Sequence, residues 1–194
     1  TGKTVKGWSF GETPLSSVVW DGTASDGRIT DGFYTYTLFA TDLAGNTGRA
    51  QTPAFELNTG TTEVILAVGS EAFSPNGDKI KDTISFTPHV KTAAGIASYE
   101  LKIINASGAA VKTFSEKRNL PGSISWDGRG DDAKLCADGM YTASLHTLSK
   151  NGSEAVFTTK PFELDTIYPS AAVSAPYTLF SPNGDGRKDG IDVS

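Results

Sequence analysis

Two stretches of the chain alternate apolar and polar residues with a period of two. The first is 34–40, where every second residue is Tyr, Leu or Ala, and the second is 98–103. In the second stretch, Tyr99, Leu101 and Ile103 would share one face of an extended chain. Successive side chains of a β-strand point to opposite faces, so this alternation predicts strands with one buried face.

Further apolar segments, separated by Gly, Pro, Asn and Asp, continue this pattern along the chain. Short segments bounded by such turn residues are typical of strands. Seven are predicted in the middle of the chain, at 62–68, 83–90, 98–103, 110–115, 123–126, 140–148 and 154–164. Others are predicted at 5–10, 16–20 and 34–40, with a last strand ending near Leu57. We therefore predict an all-β protein, with a sandwich of the size and strand number of an immunoglobulin-like domain.

The sequence contains a long internal repeat. Phe73–Asp78 returns unchanged as Phe180–Asp185, 107 residues later, and Trp20 recurs as Trp126 with a step of 106. A period of this length is a whole domain rather than a solenoid unit. It predicts tandem modules: a leading unit with C-terminal strands (1–58), a complete sandwich (59–165) and a tail with the N-terminal strands of a third unit (166–194).

The two segments between units differ in composition. Leu164–Pro169 contains a proline, which restricts both its own backbone and that of the preceding residue. Leu57–Thr61 contains Gly60 instead. We therefore expect the second linker to be stiff and the first to bend more easily.

Composition and charge limit the classes of binding partner that we expect. The chain has 17 basic and 22 acidic residues, for a formal charge of −5, and no Lys/Arg cluster. Nucleic acid is therefore not an expected partner. No apolar run is long enough to predict a membrane span. Cys136 is the only cysteine, so the core is expected to be stabilised by burial of apolar area, with bound metal as a further contribution.

Two motifs resemble bacterial modules. The segment from Trp126-Asp127-Gly128 to Asp138-Gly139-Met140-Tyr141 has a counterpart from Trp20 to Tyr34 and resembles the immunoglobulin-like domain of the flagellar hook-capping protein. The Phe-Ser-Pro-Asn-Gly-Asp loop is similar to loops of gliding-motility-associated surface domains. The resemblance implies tandem immunoglobulin-like domains of an exported bacterial protein, at the cell surface, extracellular or periplasmic. It implies architecture more than activity.

The second copy of the repeated loop has oxygen-bearing side chains at the spacing of an EF-hand-type calcium loop. With Ser181 as position 1, the ligand positions 3, 5, 9 and 12 are occupied by Asn183, Asp185, Asp189 and Asp192. Gly186 stands at position 6, where such loops turn sharply. We therefore predict a calcium site, although position 1 is Ser rather than Asp.

The first copy keeps Asn76, Asp78 and Asp82 as candidate ligands. Lys79 occupies the Gly position and Ser85 occupies position 12, so calcium binding is expected to be weaker here. A turn in which Asn and Asp side chains accept hydrogen bonds from nearby amides explains the same residues without a metal. The sequence leaves both interpretations open.

The acidic groups also suggest where a metal would act. Alternate loops of an antiparallel sandwich lie at the same end, so the Ser74–Asp82 loop, the Asp127–Asp138 loop and the exit at Asp165 should cluster. We expect repulsion between their carboxylates to be uncompensated unless calcium binds. Calcium would then stiffen the junction with the next domain.

The residues needed for catalysis are sparse. His89 and His146 are the only histidines, and each lies in a predicted strand without Cys, Asp or Glu at ligand or triad spacing. Cys136 and His146 are ten positions apart, in a predicted loop and strand, and are not expected to act together. We therefore expect no enzymatic activity.

The expected function is a non-catalytic spacer or assembly module, with neighbouring immunoglobulin-like domains as partners. The alternative is an adhesin or carbohydrate-binding module, which would present Tyr168, Tyr177 and Phe180 as an exposed aromatic platform. A further expected partner is another copy of the chain. The leading unit matches the sandwich only from Val111 onward, whereas 171–194 matches only its opening strands, so we predict strand addition between copies.

Overall fold

A computed structural model of the chain describes residues 2–11, 16–117 and 120–193. Within these residues the secondary structure consists of β-strands, and the predicted all-β class is confirmed. The strands before the sandwich are Gly32–Tyr34 (β1), Thr37–Thr41 (β2), Thr47–Gln51 (β3) and Phe55–Leu57 (β4). Those of the sandwich are Thr62–Val68 (β5), Ala72–Phe73 (β6), Ile84–Thr92 (β7), Ile96–Asn105 (β8), Ala110–Glu116 (β9), Ile124–Trp126 (β10), Gly139–Ser149 (β11), Glu154–Thr158 (β12) and Phe162–Leu164 (β13).

Strands β5 to β13 form a sandwich of two sheets. The smaller sheet has the order β10-β7-β5, and the larger has the order β6-β13-β11-β8-β9. The first part of β11 pairs with β13, and its second part pairs with β12. All of these pairs are antiparallel except β6 with β13, which is parallel.

The core lies between the two sheets and uses alternate residues of each strand. Leu101 and Leu145 are fully buried, as the alternation of their segments predicts. The ring of Trp126 contacts three other rings, with centroid distances of 5.3 Å to Phe73, 5.3 Å to Tyr141 and 6.2 Å to Phe162. Among the described residues, this buried cluster extends from Val64 to Leu164. The unit boundaries at 58/59 and 165/166 stay predictions.

The predicted strand at 154–164 is two strands, and the reason is local. Pro161 has no N–H to donate to a ladder, so the row of hydrogen bonds is interrupted at this residue. The chain leaves β12 at Thr158, and Thr159 hydrogen-bonds to Ala143 through both its N–H (2.9 Å) and its side-chain oxygen (3.0 Å). The last segment then pairs with the beginning of β11 as β13.

The leading unit has less regular structure than its sequence predicts. The described residues of 5–10 and 16–20 are not in strands, and 34–40 is divided between β1 and β2. Their counterparts β9 and β10 pair with β8 and β7. The described residues of the leading unit contain no equivalent of β7 or β8, so these segments have no strand to pair with. For the same reason, the opening strands predicted for 171–193 do not form.

The leading unit also exposes residues that are buried in the sandwich. Leu38 is 46% exposed, whereas its counterpart Leu145 is 0% exposed. Phe55 is 42% exposed, whereas its counterpart Phe162 is 1% exposed. The same residue types therefore form a core only where both sheets are present. No helix in the described chain is long and apolar enough to span a membrane.

Candidate functional site

The first copy of the repeated loop is folded around its own polar side chains. The Asp82 carboxylate accepts hydrogen bonds from the backbone N–H groups of Gly77 and Lys79, both at 2.8 Å. Asn76 Oδ1 accepts one from the N–H of Asp78 at 3.0 Å. These are the hydrogen bonds of an Asn/Asp-rich turn, in which side-chain oxygens replace backbone acceptors.

The second copy has the same arrangement. Asp189 accepts hydrogen bonds from the N–H groups of Gly184 at 2.9 Å and Gly186 at 2.7 Å. Asn183 Oδ1 accepts one from the N–H of Asp185 at 3.3 Å. The loop therefore keeps its conformation outside the sandwich, which indicates that local hydrogen bonds determine it.

Both loops have the donor chemistry that calcium prefers, but their carboxylates are engaged with amides. Asn76 Nδ2 also donates to Asp78 Oδ2 at 3.2 Å, so these two side chains face each other. Asp192, at the last predicted ligand position, is exposed. Among the described residues, no group of three or more His, Cys, Asp or Glu side chains is arranged to hold a metal ion. Calcium binding stays a prediction.

The two copies differ in residue type at one of the positions that adopt a left-handed backbone. Lys79 has φ of 72°, and Gly186 has φ of 77° at the equivalent position. Lys79 therefore preserves the turn, but its Cβ makes this conformation unfavourable by about 1–2 kcal/mol.

Lys79→Gly is expected to stabilise the sandwich by about 0.5 kcal/mol, because relief of this strain exceeds the entropy that Gly loses on folding. The midpoint of urea unfolding measures the change. Lys79→Ala is the matched control, since it removes the side chain and keeps the strain. An equal midpoint for the two variants would contradict the assignment of strain to Lys79.

The loops predicted to cluster at one end do lie together. A Cβ built on Gly128 would lie 2.8 Å from Pro75 Cγ, and the N–H of Asp165 donates to the carbonyl of Phe73 at 3.1 Å. The exit of the sandwich and the first copy of the repeated loop are therefore neighbours.

The acidic side chains of the Asp127–Asp138 loop have individual partners, so the expected uncompensated repulsion is not found within this loop. The partners are Arg129 for Asp127 (3.9 Å), Lys112 for Asp131 (3.4 Å), Lys134 for Asp132 (3.5 Å) and the N–H and hydroxyl of Thr166 for Asp138 (3.1 and 2.9 Å). Three of these four carboxylates lie next to a cation, whereas Asp138 has only the neutral donors of Thr166. Exposed pairs of this kind each contribute little to stability, about 0–1 kcal/mol.

A tyrosine hydrogen bond recurs in the leading unit and in the sandwich. The hydroxyl of Tyr141 donates to the carbonyl of Ala137 at 2.6 Å, and the hydroxyl of Tyr34 donates to that of Thr30 at 2.5 Å.

Asp31 Oδ1 accepts hydrogen bonds from both the N–H and the hydroxyl of Thr59, each at 2.9 Å. Asp138 makes the same contacts with Thr166, one period later. The sequence shows both pairs at a step of 107, so the repeat itself was the signal that could have identified them. These contacts fix the segment that leaves each unit.

The lone thiol is part of the packed structure. Cys136 packs against the core, and burial raises the pKa of its thiol, with the charges of Asp132 and Asp127 as smaller contributions in the same direction. A thiol with a raised pKa is protonated at neutral pH and is a poor nucleophile. His146 Nε2 lies 3.2 Å from Glu154 Oε2, and His89 is exposed on β7.

The three aromatic residues of the alternative carbohydrate platform are placed differently from one another. Tyr168 is 68% exposed and Phe180 is 43% exposed. Tyr177 is half-buried: its hydroxyl donates to the carbonyl of Gly190, and Lys188 Nζ lies 4.8 Å from its ring centroid. One face of the Tyr177 ring is therefore covered by a cation.

The chain is similar to several solved structures. A tetra-tandem repeat in the extending region of a large adhesion protein is 19% identical, with a TM-score of 0.42, over 82% of this chain and 37% of that chain. Dimeric latent PorU from Porphyromonas gingivalis is 16% identical, with a TM-score of 0.39, over 73% of this chain and 13% of that one. CopC from Methylosinus trichosporium OB3b is 17% identical, with a TM-score of 0.34, over 53% of this chain and 94% of that one.

The first two of these structures are much longer than the region matched, so the chain spans well under two thirds of their length. No family model and no curated protein matches the sequence.

Proposed function

We propose that the chain is a non-catalytic spacer or assembly segment of a larger exported bacterial protein, built from tandem immunoglobulin-like modules. The observation that carries this proposal is the recurrence of the exit contacts one period apart. Asp31 with Thr59 and Asp138 with Thr166 hold the departing chain in the same way. Contacts that fix the direction of the chain between units are what a spacer needs.

The aromatic residues beside these exits support the same proposal. Trp20 Nε1 donates to the carbonyl of Thr23, and Trp126 Nε1 donates to that of Arg129, both at 2.8 Å. The two indoles therefore organise equivalent loops in the two units. Repetition of structural contacts favours a repeated architecture over a single specialised binding surface.

Small-angle scattering tests the spacer function on proteins that carry one, two and three copies of 59–165. The copies are joined by the linker that follows the sandwich and ends at Pro169. The maximum dimension is expected to rise by about 40 Å per copy, because strands of about a dozen residues at roughly 3.3 Å each set the length of a sandwich. The control is a solution of single units that are not linked, at the same concentration of units. A dimension that stays constant with copy number would contradict the proposal.

A glycan-binding screen on the same chain tests the adhesin or carbohydrate alternative. Specific binding that is lost in Tyr168→Ala, with an unchanged fold, would favour that alternative over the spacer. The exposure of Tyr168 makes it the most accessible of the three candidate aromatic residues.

Calcium is part of the proposal as a ligand of the two repeated loops. A cation that binds only the folded chain raises its melting temperature, and 1 kcal/mol of binding corresponds to roughly 4–8 °C for a domain of this size. We expect a higher melting temperature in millimolar calcium than in chelator. Asp82→Asn should reduce this difference, whatever its effect on the temperature itself. Equal melting temperatures with calcium and with chelator would exclude the site.

Another copy of the chain is the proposed partner for strand addition. In the sandwich, β6 pairs in parallel with β13, and Phe73 contacts Trp126. By the repeat, Phe180 of one copy would take the place of Phe73 beside Trp20 of another copy. Light scattering is expected to show association that is lost on deletion of residues 171–194. A strict monomer over a wide range of concentrations would rule strand addition out.

A further inference from the structure

The linker between the leading unit and the sandwich is fixed at its first half by the leading unit. The N–H and the hydroxyl of Thr59 both donate to Asp31 Oδ1, at 2.9 Å. The side chain of Asn58 donates from Nδ2 to Glu56 Oε1 at 3.2 Å and accepts from the N–H of Gly60 at 2.9 Å. Rotation of the backbone here would break several hydrogen bonds at once.

The second half of the linker is fixed by one side chain of the sandwich. Asn151, in the turn between β11 and β12, donates from Nδ2 to the carbonyl of Gly60 at 2.7 Å and to that of Asn58 at 3.1 Å. Its Oδ1 accepts from the N–H of Ser153 at 3.2 Å, so both ends of the amide are engaged. The amide is therefore held in the orientation in which its donor faces the linker.

Gly60 also packs against the loop between β7 and β8. A Cβ built on Gly60 would lie 2.6 Å from Ala93 Cβ, a separation that real side chains do not adopt. The linker backbone can therefore approach the sandwich this closely only without a side chain at this position.

The chain that follows is attached to the same end of the sandwich. The N–H of Thr62 donates to Ser153 Oγ at 3.0 Å. The hydroxyl of Thr62 contacts those of Thr92 and Ser149, at 3.1 and 2.5 Å. A buried hydroxyl cluster with satisfied hydrogen bonds is rigid, because any displacement leaves a polar group unpaired. The surface that receives the linker therefore has a fixed shape.

We propose that Asn151, Ala93 and Ser153 form a docking surface, the Asn151 clasp, which seats the linker of the preceding unit and makes this junction rigid. The proposal rests on the spacer function and identifies the junction at which the spacer is stiff. It reverses the expectation that Gly60 makes the linker easy to bend. Gly60 is required here for close contact, not for flexibility.

The clasp is selective for its linker. Ile167 stands one period after Gly60, and a branched side chain at that position would overlap an alanine placed like Ala93. The docking surface therefore accepts a linker with Gly as its third residue after Leu57, and the two junctions of the chain are not equivalent.

Distances between spin labels test the clasp in the full chain. The labels are placed on Thr47→Cys in the leading unit and Ser107→Cys in the sandwich, both exposed, with Cys136→Ser to remove the native thiol. The unmodified junction is expected to give one narrow distance distribution. Asn151→Asp keeps the acceptor for Ser153 and removes the donor to the linker.

Gly60→Ile, the second variant, lies before β5, the first strand of the sandwich, and prevents docking without changing a core residue. Each variant is expected to broaden the distribution to a width on the order of 10 Å, the reach of a flexible linker of this length. The control is Thr158→Ala, because Thr158 is exposed on β12 and its hydroxyl donates to Ser144 Oγ within the sandwich, with no contact to the linker or to either labelled residue.

Two results would overturn the clasp: a broad distribution in the chain with the native junction, or an unchanged width in Gly60→Ile. Tryptophan fluorescence shows whether Trp126 stays buried in Asn151→Asp. If it does not, this variant is misfolded, and Gly60→Ile alone tests the clasp. Equal increments of length per copy in the scattering experiment can persist with a flexible junction, so the clasp and the spacer can fail separately.

Discussion

Trp126→Ala is expected to lower the free energy of unfolding of the sandwich by about 3–5 kcal/mol. The side chain is 1% exposed, and its ring contacts Phe73, Tyr141 and Phe162. Truncation would leave a cavity between the two sheets, and would also remove the hydrogen bond from Nε1 to the carbonyl of Arg129. Urea unfolding followed by circular dichroism measures the loss.

Trp20→Ala is the matched control for this substitution. Trp20 makes the equivalent hydrogen bond to Thr23 but is only half-buried and lies outside the sandwich core. Its loss should leave the main unfolding transition unchanged. Asp131→Ala is a second control, expected to cost less than about 1 kcal/mol because the Asp131 side chain is exposed. Coincident midpoints for Trp126→Ala and these controls would show that the core is misplaced.

Gly128→Ala is expected to destabilise the sandwich by about 2–4 kcal/mol, through two effects that add. Gly128 has φ of +78°, which costs a residue with a Cβ about 1–2 kcal/mol. The added Cβ would also lie 2.8 Å from Pro75 Cγ and 3.2 Å from Leu164 Cδ1. Overpacking of this kind costs about 1–3 kcal/mol. Thermal and urea unfolding both report the change.

Gly108→Ala separates the two effects. Gly108 has φ of +85°, but nothing lies within 4 Å of an added Cβ. It should therefore show only the conformational cost, about 1–2 kcal/mol. If the two alanine variants were equally stable, the loop containing Pro75 would not be packed on Gly128, and the arrangement of this end of the sandwich would be wrong.

The strands of the sandwich could be predicted because their signal is local. Alternation at 98–103 placed Tyr99, Leu101 and Ile103 inward, and they are 7%, 0% and 0% exposed. The pattern depends only on the pleat of the strand, so it survives without knowledge of the partners. The same pattern failed at 5–10 and 16–20, where the described chain offers no strand to complete a ladder.

Long-range contacts could not be predicted from the sequence. Two residues, Ala72 and Phe73, form β6 because β13 lies beside them, and nothing in so short a segment predicts a parallel pair. The contacts of Asn151 with the linker have no local sequence signal, since they span 91 and 93 positions. In the repeated loops the reverse holds. The bond from Gly77 to Asp82 spans five positions, so local spacing indicated the turn.

The parallel pairing of β6 with β13 determines how the sandwich responds to mechanical tension. β6 lies near the start of the sandwich and β13 at its end, so stretching a series of units pulls these neighbours in opposite directions. In a parallel pair such a pull slides one strand along the other. The backbone hydrogen bonds from Glu163 to Glu71 (2.9 Å) and from Asp165 to Phe73 (3.1 Å) are then loaded together, in shear, rather than opened in turn. Single-molecule stretching would record this as one force peak per unit. The paired first and last segments of each module would then determine its resistance to unfolding under force.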